Sequence, residues 1–169
     1  MKEFVITTDS TVDLSKEFLE EKDITVLSLS YILDGVTYRD MDGLSGKEFF
    51  DKLRNGSLPT TSQVNPEEAH AVFEPIVKSG KDILHIGFSS GLSGTYNSCR
   101  IAAEELMEEY SDSKLVVIDS LCASMGEGLL LYKAIELKEQ GKSLEEIAEW
   151  VEENKLHICH NVTVDDLHH

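Results

Sequence analysis

Short apolar runs alternate with amphipathic segments along the chain. The runs at Phe4–Thr8, Ile24–Ser30, Ile83–Phe88 and Lys114–Asp119 are apolar and rich in β-branched residues, which predicts strands. The segments between them place apolar residues at helical spacing. Strands that alternate with helices predict an α/β fold, a mainly parallel sheet with helices on both faces.

Capping residues and glycines set the boundaries of the predicted helices. Ser45 and Ser143 each open an S-x-x-E capping box, and Asn65 precedes a proline that suits a first helical turn. Glycines end several of these segments. The predicted helices are Leu14–Lys22, Ser45 to Gly56, Asn65 to Gly80, 98–110, Gly128–Gln140 and one after Ser143 that contains Trp150.

Three further segments have a predicted structure. Asp34-Gly35 lies between two alternating stretches and predicts a β-hairpin. Ser57–Gln63 is rich in hydroxyl groups and predicts a loop. His157–Val164 alternates in polarity and predicts a final strand.

The stretch Asp82–Asn97 is the most informative part of the sequence. A buried strand runs into a Gly/Ser loop, and a helical pattern follows, so backbone amides and the positive end of a helix dipole favour an anion there. Because ligands of parallel sheets bind beyond the carboxyl ends of the strands, we expect three hydroxyl-rich segments to meet at that edge. These are Asp9-Ser10-Thr11, Thr60–Gln63 and Ser89–Thr95.

Composition and charge restrict the possible partners. A length of 169 residues suits one domain, and a net charge of −17 argues against nucleic acid and against the anionic face of a bilayer. The three cysteines are widely spaced and predict neither a disulfide framework nor a zinc cluster. No segment predicts a signal or a membrane span, so we expect a cytoplasmic protein with reduced thiols.

The sharpest enzymatic hypothesis is a serine hydrolase. Gly87 to Gly91 matches G-x-S-x-G between a strand and a helix, with Ser89 as nucleophile and Asp119 with His157 or His160 as partners. Against it, no HGGG-type segment supplies an oxyanion hole, and the helical pattern begins well after Ser89. We therefore expect a protein that is not an enzyme.

Other chemistry has little support in the sequence. The glycine spacing matches neither a dinucleotide fingerprint nor a P-loop, so no cofactor is expected. Two residues separate His157 from His160 in a predicted strand, which places them on opposite faces, and His85 lies inside a buried strand, so no metal is expected. For Thr61 and Ser93, helix capping and ligand binding remain equally open.

Five segments together resemble the DegV family, in family order and over nearly the whole chain. They are Asp9-Ser10-Thr11, Pro59–Gln63, Ser89–Tyr96, Asp119-Ser120 and Val164–Leu167. The resemblance implies a bacterial fatty-acid-binding protein that holds a long-chain fatty acid and presents its carboxylate to a separate fatty-acid kinase subunit. The family's carboxylate-binding threonine and serine fall on Thr61 and Ser93.

The resemblance also sets the expected site and domain organisation. Ser62 and Gly94 are expected to bind the carboxylate together with Thr61 and Ser93. Ser10, Thr11 and Ser90 are expected at the edge of the pocket. Family members continue into a second domain, so residues 1–169 are expected to be a DegV-like N-terminal α/β domain with the second domain absent. An exposed domain interface would then favour self-association. His168 and His169 are either native or a tag remnant, and a binding module for another small anion remains an alternative.

Overall fold

The computed structural model describes residues 2–163, and its elements follow one another in the order strand, helix, strand. The strands are β1 (Phe4–Asp9), β2 (Thr25–Leu27), β3 (Ser30–Leu33), β4 (Val36–Arg39), β5 (Thr60–Ser62), β6 (Asp82–Gly87) and β7 (Leu115–Asp119). The helices are α1 (Lys16–Glu21), α2 (Gly46–Arg54), α3 (Pro66–Lys78), α4 (Thr95–Glu109), α5 (Ser124–Glu139) and α6 (Leu144–Asn154), with 3₁₀ turns at Ser10–Val12 and Lys155–His157.

The main sheet is parallel and has the order β2-β1-β6-β7. Its residues alternate between two apolar cores. Ile6, Leu84 and Ile86 pack on one face with α1, α5 and α6, and Ile83 packs on the other face with α3 and α4. The predicted fold class, a parallel sheet with helices on both faces, is confirmed.

The chain moves outward from β1 in both directions, to β2 on one side and to β6 on the other. The order of the strands therefore reverses between β1 and β6. In open α/β sheets a crevice forms beyond the carboxyl ends of the strands at this point. Here it is flanked by the loop that follows Asp9 and by the loop from Phe88 to Gly94.

A second, antiparallel sheet has the order β4-β3-β5. The predicted hairpin at Asp34-Gly35 joins β3 to β4, and both residues have positive φ values, as a tight hairpin turn requires. β5 pairs with the other edge of β3, with Thr61 opposite Tyr31. This small sheet stands beside the crevice of the main sheet and extends one of its walls.

Two predicted segments differ because pairing partners decide where a strand forms. The single strand predicted over Ile24–Ser30 is wrong, since β2 ends at Leu27 and Ser30 begins β3 in the other sheet. The loop predicted over Ser57–Gln63 is also wrong in part, because Thr60–Ser62 pairs with β3. A hydroxyl-rich triplet becomes a strand when an edge is available to it.

The final strand predicted over His157–Val164 is wrong across the residues that the structure describes. Lys155–His157 forms a 3₁₀ turn, and residues 158–163 have no regular structure. The alternation of HICHNVTV is typical of a strand, but within residues 157–163 no strand of either sheet pairs with it. Val164–Leu167, His168 and His169 lie outside the described residues.

Helix boundaries follow the capping residues closely. Ser45, Asn65 and Ser143 each form the reciprocal capping box, in which the cap side chain and the glutamate three residues later satisfy each other's backbone amide. α1 is shorter than predicted because Ser15 caps it, and α5 begins four residues earlier than predicted, at Ser124. Among residues 2–163, no helix has both the length and the apolarity needed to cross a membrane.

Candidate functional site

A groove of about 840 Å³ lies between the small sheet, α2 and the loops after β1 and β6. Its volume is within the range of roughly 300–1,000 Å³ that is typical of small-molecule sites. Each of the three hydroxyl-rich segments reaches it, and Thr11, Thr61 and Ser93 supply hydroxyl groups. The lining residues are Thr11, Asp13, Leu29, Ser30, Tyr31, Asp40, Met41, Leu44, Gly46, Phe49, Phe50, Pro59, Thr61, Gln63, Phe88, Leu92 and Ser93.

The walls of the groove are largely apolar. Tyr31 of β3 packs edge-on against Phe49 of α2, with 5.2 Å between the ring centroids, and Phe49 packs edge-on against Phe50. The Tyr31 hydroxyl accepts a hydrogen bond of 3.1 Å from the Leu44 backbone amide, which ties α2 to the small sheet. Leu92 is 68% exposed beside the groove. Such a surface suits an apolar ligand.

Thr61 reaches the groove because of its position in β5. Side chains of a strand alternate between two faces, and Thr61 and Gln63 both line the groove. Ser62 lies between them, is exposed and is not among the lining residues. The Thr61 hydroxyl makes no hydrogen bond within residues 2–163 and is therefore available as a donor to a ligand.

Ser93 is brought to the same groove by two hydrogen bonds that join β5 to the start of α4. The Gly94 amide donates to Gln63 Oε1 at 3.1 Å, and the Val64 amide donates to Thr95 Oγ1 at 3.3 Å. Thr95 is fully buried, so the second bond is shielded from water. Thr61, two residues before Gln63, and Ser93, one residue before Gly94, therefore line one groove.

The hydrogen bonds of Ser93 leave its own proton available. Ser93 Oγ accepts from the Thr95 amide at 3.2 Å and lies 3.0 Å from Thr95 Oγ1. When the Thr95 hydroxyl donates this second bond, Ser93 Oγ accepts twice and its proton is free to point into the groove. Thr61 and Ser93 can thus each offer a neutral donor to a ligand in the groove.

The other residues expected at the site are placed differently. Thr11 lines the groove, whereas Ser10 is buried and its hydroxyl accepts from the Leu29 amide at 3.0 Å. Ser90 is exposed, and its amide donates to Asp119 Oδ1 at 3.0 Å. The Gly94 amide is already bonded to Gln63. Gln63 was not among the expected site residues, although it closes the same T-S-Q segment.

The electrostatics of the groove are unusual for an anion site. Among the described residues that line it there is no lysine, arginine or histidine, and Asp13 and Asp40 are acidic. A carboxylate bound here would rely on hydroxyl donors rather than on an ion pair. The positive end of the α4 dipole, adjacent to Ser93, adds to that preference.

A buried acidic pair lies beneath the groove and was missed by the motif analysis. Asp9 and Glu127 are both fully buried, and both have an oxygen within hydrogen-bond distance of Thr11 Oγ1. Burial, and then the negative charge of Asp9, raise the pKa of Glu127 to about 9. Burial also raises the pKa of Asp9, against hydrogen bonds from Thr11 and Phe88. The available signal was a lone glutamate at the start of the apolar segment MGEGLLL.

The hydrogen bonds around Ser89 do not form a catalytic triad among residues 2–163. Ser89 Oγ accepts from the Gly91 amide at 3.3 Å, and within residues 2–163 no hydrogen bond joins it to a histidine. Asp119 Oδ1 accepts from the amides of Ser90 and Leu121, so it stabilises its own turn. α4 begins six residues after Ser89, whereas a nucleophile elbow enters its helix directly.

Among the described residues, a group of side chains that could ligate a metal ion lies on α3 and α4, outside the groove. His70 and Glu74 of α3 and Glu109 of α4 have ligand atoms within 4.8 Å of one another. Glu74 Oε1 already forms an ion pair with the Lys78 ammonium at 2.9 Å, which competes with a metal ion for that carboxylate. Cys99 and Cys122 are buried and free, and burial raises the pKa of the Cys99 thiol to about 12.

Comparisons with known proteins agree on one family. The family described as "Uncharacterised protein, DegV family" matches residues 3–169. A DegV domain-containing protein of Clostridium perfringens is 49% identical over 171 residues, and the match covers 100% of this chain and 59% of the relative.

Two solved structures of fatty-acid-binding proteins have the same fold. A stearic-acid-binding protein from Eubacterium ventriosum is 31% identical with a TM-score of 0.82, and the match covers 88% of this chain and 52% of that one. A DegV family protein from Thermus thermophilus, described for its fatty acid binding, is 33% identical with a TM-score of 0.82, covering 92% and 54%. The chain therefore spans little more than half the length of these relatives.

Proposed function

Because the chain belongs to the DegV family, we propose that it binds a long-chain fatty acid in the groove and holds the carboxylate with the hydroxyls of Thr61 and Ser93. The observation that carries this proposal is the presence of both hydroxyls on one apolar groove. The fatty-acid binding of the two similar proteins from Eubacterium ventriosum and Thermus thermophilus supports the same ligand class.

The energetics favour such a ligand over a small anion. Each buried methylene contributes about 0.8 kcal/mol, so the acyl chain supplies most of the affinity. A hydroxyl bond to a charged group adds about 1.5–3 kcal/mol, which orients the head group without a cation. A small anion would have only the hydroxyls, and the aromatic walls formed by Tyr31, Phe49 and Phe50 would contribute nothing to its binding.

The wider role is that of a carrier. We assign the phosphorylation of the bound carboxylate to a separate kinase subunit, as the family resemblance implies, and we place the protein in the bacterial cytoplasm. The longer relatives match this chain over 59% of their length, so we propose that residues 1–169 form a domain that supplies one wall of the acyl site and that a second domain supplies another. The buried free thiols are in keeping with a reducing compartment.

Hydroxyl deletion tests the carboxylate site. We expect Thr61→Ala and Ser93→Ala each to weaken the binding of palmitate by about 1–3 kcal/mol, since each removes one donor to a charged group. Binding is measured by isothermal titration calorimetry, with native mass spectrometry to detect lipid that co-purifies. Hexadecan-1-ol, which has the same number of carbons and no carboxylate, should bind both variants and the unsubstituted protein with equal affinity.

Ser62→Ala is the matched control, because Ser62 lies in the same strand and its side chain does not line the groove. It should leave palmitate affinity unchanged. An equal loss in Ser62→Ala and Thr61→Ala, or no loss in the Thr61/Ser93 double variant, would place the carboxylate elsewhere. Failure of any fatty acid to bind the unsubstituted chain would remove the function itself for this chain.

A further inference from the structure

Hydrogen bonds from two groove-lining residues end on the buried carboxyl groups of Asp9 and Glu127. The Phe88 amide donates to Asp9 Oδ2 at 2.7 Å, and the Thr11 amide donates to Asp9 Oδ1 at 3.1 Å. The Thr11 hydroxyl lies 2.6 Å from Asp9 Oδ1 and 2.8 Å from Glu127 Oε2. Both Thr11 and Phe88 line the groove. Hydrogen bonds thus connect the acidic pair to two residues that line the groove.

A count of hydrogens in this cluster favours an extra proton on the acidic pair. Thr8 Oγ1 lies 2.9 Å from the Ile86 carbonyl and 3.2 Å from Glu127 Oε1, and Thr11 Oγ1 contacts both carboxyl groups. These four contacts join oxygens to oxygens, and each needs a hydrogen. The two threonine hydroxyls supply only two. With both carboxyl groups ionised, two of the four contacts would lack a hydrogen. One proton on Glu127 supplies the missing hydrogen between Glu127 and Thr11, and the Thr8 hydroxyl then shares its single hydrogen between its two neighbours.

The hydrogen-bond pattern decides which residue carries the extra proton. Both oxygens of Asp9 accept from backbone amides, and Oδ1 also accepts from Thr11, as suits a carboxylate. Within residues 2–163, Glu127 faces the hydroxyls of Thr8 and Thr11, which accept as readily as they donate, and the Asp9 carboxyl group. A protonated Glu127 donates to Thr11 Oγ1, and Thr11 then donates to Asp9. Two like charges this close would not both persist.

We propose that Asp9 and Glu127 form a carboxylate–carboxylic acid pair that shares one excess proton through Thr11 and positions the loop of Ser93. The Phe88 amide fixes the start of that loop on Asp9, five residues before Ser93. A neutral Glu127 also keeps a second negative charge away from the groove. Both residues act as positioning residues, and the effect on ligand rests on the proposed function.

Among residues 2–163, other titratable or charged groups lie around Glu127 at two distances. The groups that face it from neighbouring elements are Asp9 at the end of β1 and Cys122 before α5, and the ring of His160 lies against the adjacent Gly126. More distant groups are Asp13 after the 3₁₀ turn, Cys99 of α4 beside Asp9, and Asp119 and Lys155 beside Cys122. Lys155 Nζ donates to the Asp119 carbonyl at 3.0 Å and forms no ion pair with Glu127.

Carboxyl NMR of the ligand-free chain tests the pair. Protein labelled with ¹³C at glutamate is titrated from pH 5 to pH 10, and Glu127 is assigned through bonds from its backbone, so no variant has to fold. We expect Glu127 to be protonated at pH 7 and to ionise only at alkaline pH, with the amide resonances of Thr11, Phe88 and Ser93 shifting at the same midpoint. The proposal is overturned if Glu127 is ionised at pH 7. It is also overturned if the Ser93 amide resonance does not shift at the pH where Glu127 ionises.

Conservative variants separate positioning from general stability. Glu127→Gln keeps a neutral group that can donate to Thr11, so the neutral-pH amide positions should persist and the alkaline transition should vanish. Asp9→Asn should perturb the Phe88 and Thr11 amides at every pH, because its NH₂ group faces a backbone donor. Glu139→Gln, at the exposed end of the same helix, should change neither. A loss of the amide positions in Glu127→Gln at pH 7 contradicts the assignment.

Palmitate binding is measured on the same samples as a separate readout. We expect affinity to fall about tenfold above the Glu127 midpoint in the unsubstituted chain, through repulsion by the new charge, and to stay constant in Glu127→Gln. A chain that never binds palmitate but shows the coupled titration would refute the proposed function alone. Binding that is equally sensitive to pH in both proteins would refute the role of the pair.

Discussion

His85 shows how a single buried side chain makes stability depend on pH. It lies in β6, fully buried, with Nδ1 3.0 Å from Thr7 Oγ1 and the ring edge against Phe73. Within residues 2–163 its Nε2 has no hydrogen-bond partner. Burial lowers the pKa of His85 to about 3. The neutral ring is therefore the folded form throughout the ordinary pH range.

The prediction concerns acid sensitivity. A depressed histidine pKa means that the unfolded chain binds the proton first, so stability is intact above pH 6.5 and is lost as the pH falls from 6.5 toward 3. We expect His85→Gln to lose less unfolding free energy between pH 7 and pH 4 than the unsubstituted chain, as measured by urea denaturation. His70→Gln, a partly exposed histidine, is the control. Parallel pH curves for all three proteins would contradict the assignment.

At the same scale, residue types predicted the candidate site only in part. Thr61 and Ser93 fall in segments whose hydroxyls and glycines drew attention, and the structure places both on one groove. Their role as carboxylate ligands stays a prediction. Ser62 follows Thr61 directly and also carries a hydroxyl group, but it lies on the other face of β5 and does not line the groove. The sequence predicted a loop for this segment and therefore could not separate the two residues. No local sequence motif marks Glu127, because its proposed role depends on Asp9, a residue 118 positions earlier in the chain.

Close packing between elements depends on Gly128 in α5. A β-carbon added there would lie 2.7 Å from the Val12 carbonyl oxygen and 3.3 Å from the Leu14 side chain. The backbone of the 3₁₀ turn cannot move aside as a flexible side chain would. We expect Gly128→Ala to destabilise the fold by about 1–2 kcal/mol, since overpacking outweighs the gain of up to about 1 kcal/mol in helix propensity. Urea denaturation provides the measurement.

Gly46 is the matched control for this change. It is also a helical glycine, at the start of α2, and a β-carbon there would have no neighbour within 4 Å. Gly46→Ala should leave stability unchanged or raise it slightly. If both substitutions have the same effect, contact between α5 and the 3₁₀ turn is not what requires Gly128.

The elements that the sequence predicts best are those whose signals are local. Capping boxes at Ser45, Asn65 and Ser143 and the turn at Asp34-Gly35 are satisfied within a few residues, and the structure contains all four. Strands depend on partners that are distant in sequence. Local patterns therefore could not predict the break after Leu27, the strand at Thr60–Ser62 or the irregular chain at 158–163.

At the scale of the whole molecule, charge and apolar surface have opposite effects. The net charge of −17 opposes contact between two copies of the chain, whereas exposed apolar side chains beside the groove favour it. Phe50 is 54% exposed and Leu92 is 68% exposed, and both line the groove. Ionic strength sets the balance between charge repulsion and apolar attraction, because the screening length falls from about 30 Å at 0.01 M salt to about 8 Å at 0.15 M.

We therefore expect self-association that increases with salt and involves the groove. Sedimentation velocity should show a monomer at 0.01 M salt and a larger species at 0.5 M, since screening removes the repulsion and leaves apolar burial intact. Leu92→Ser should reduce the larger species because it removes exposed apolar surface at the groove. Leu156→Ser is the control, since Leu156 is 76% exposed and does not line the groove. Equal effects of the two substitutions would show that association uses general apolar exposure, and a monomer at every salt concentration would mean that the groove face alone is too small to hold two copies together.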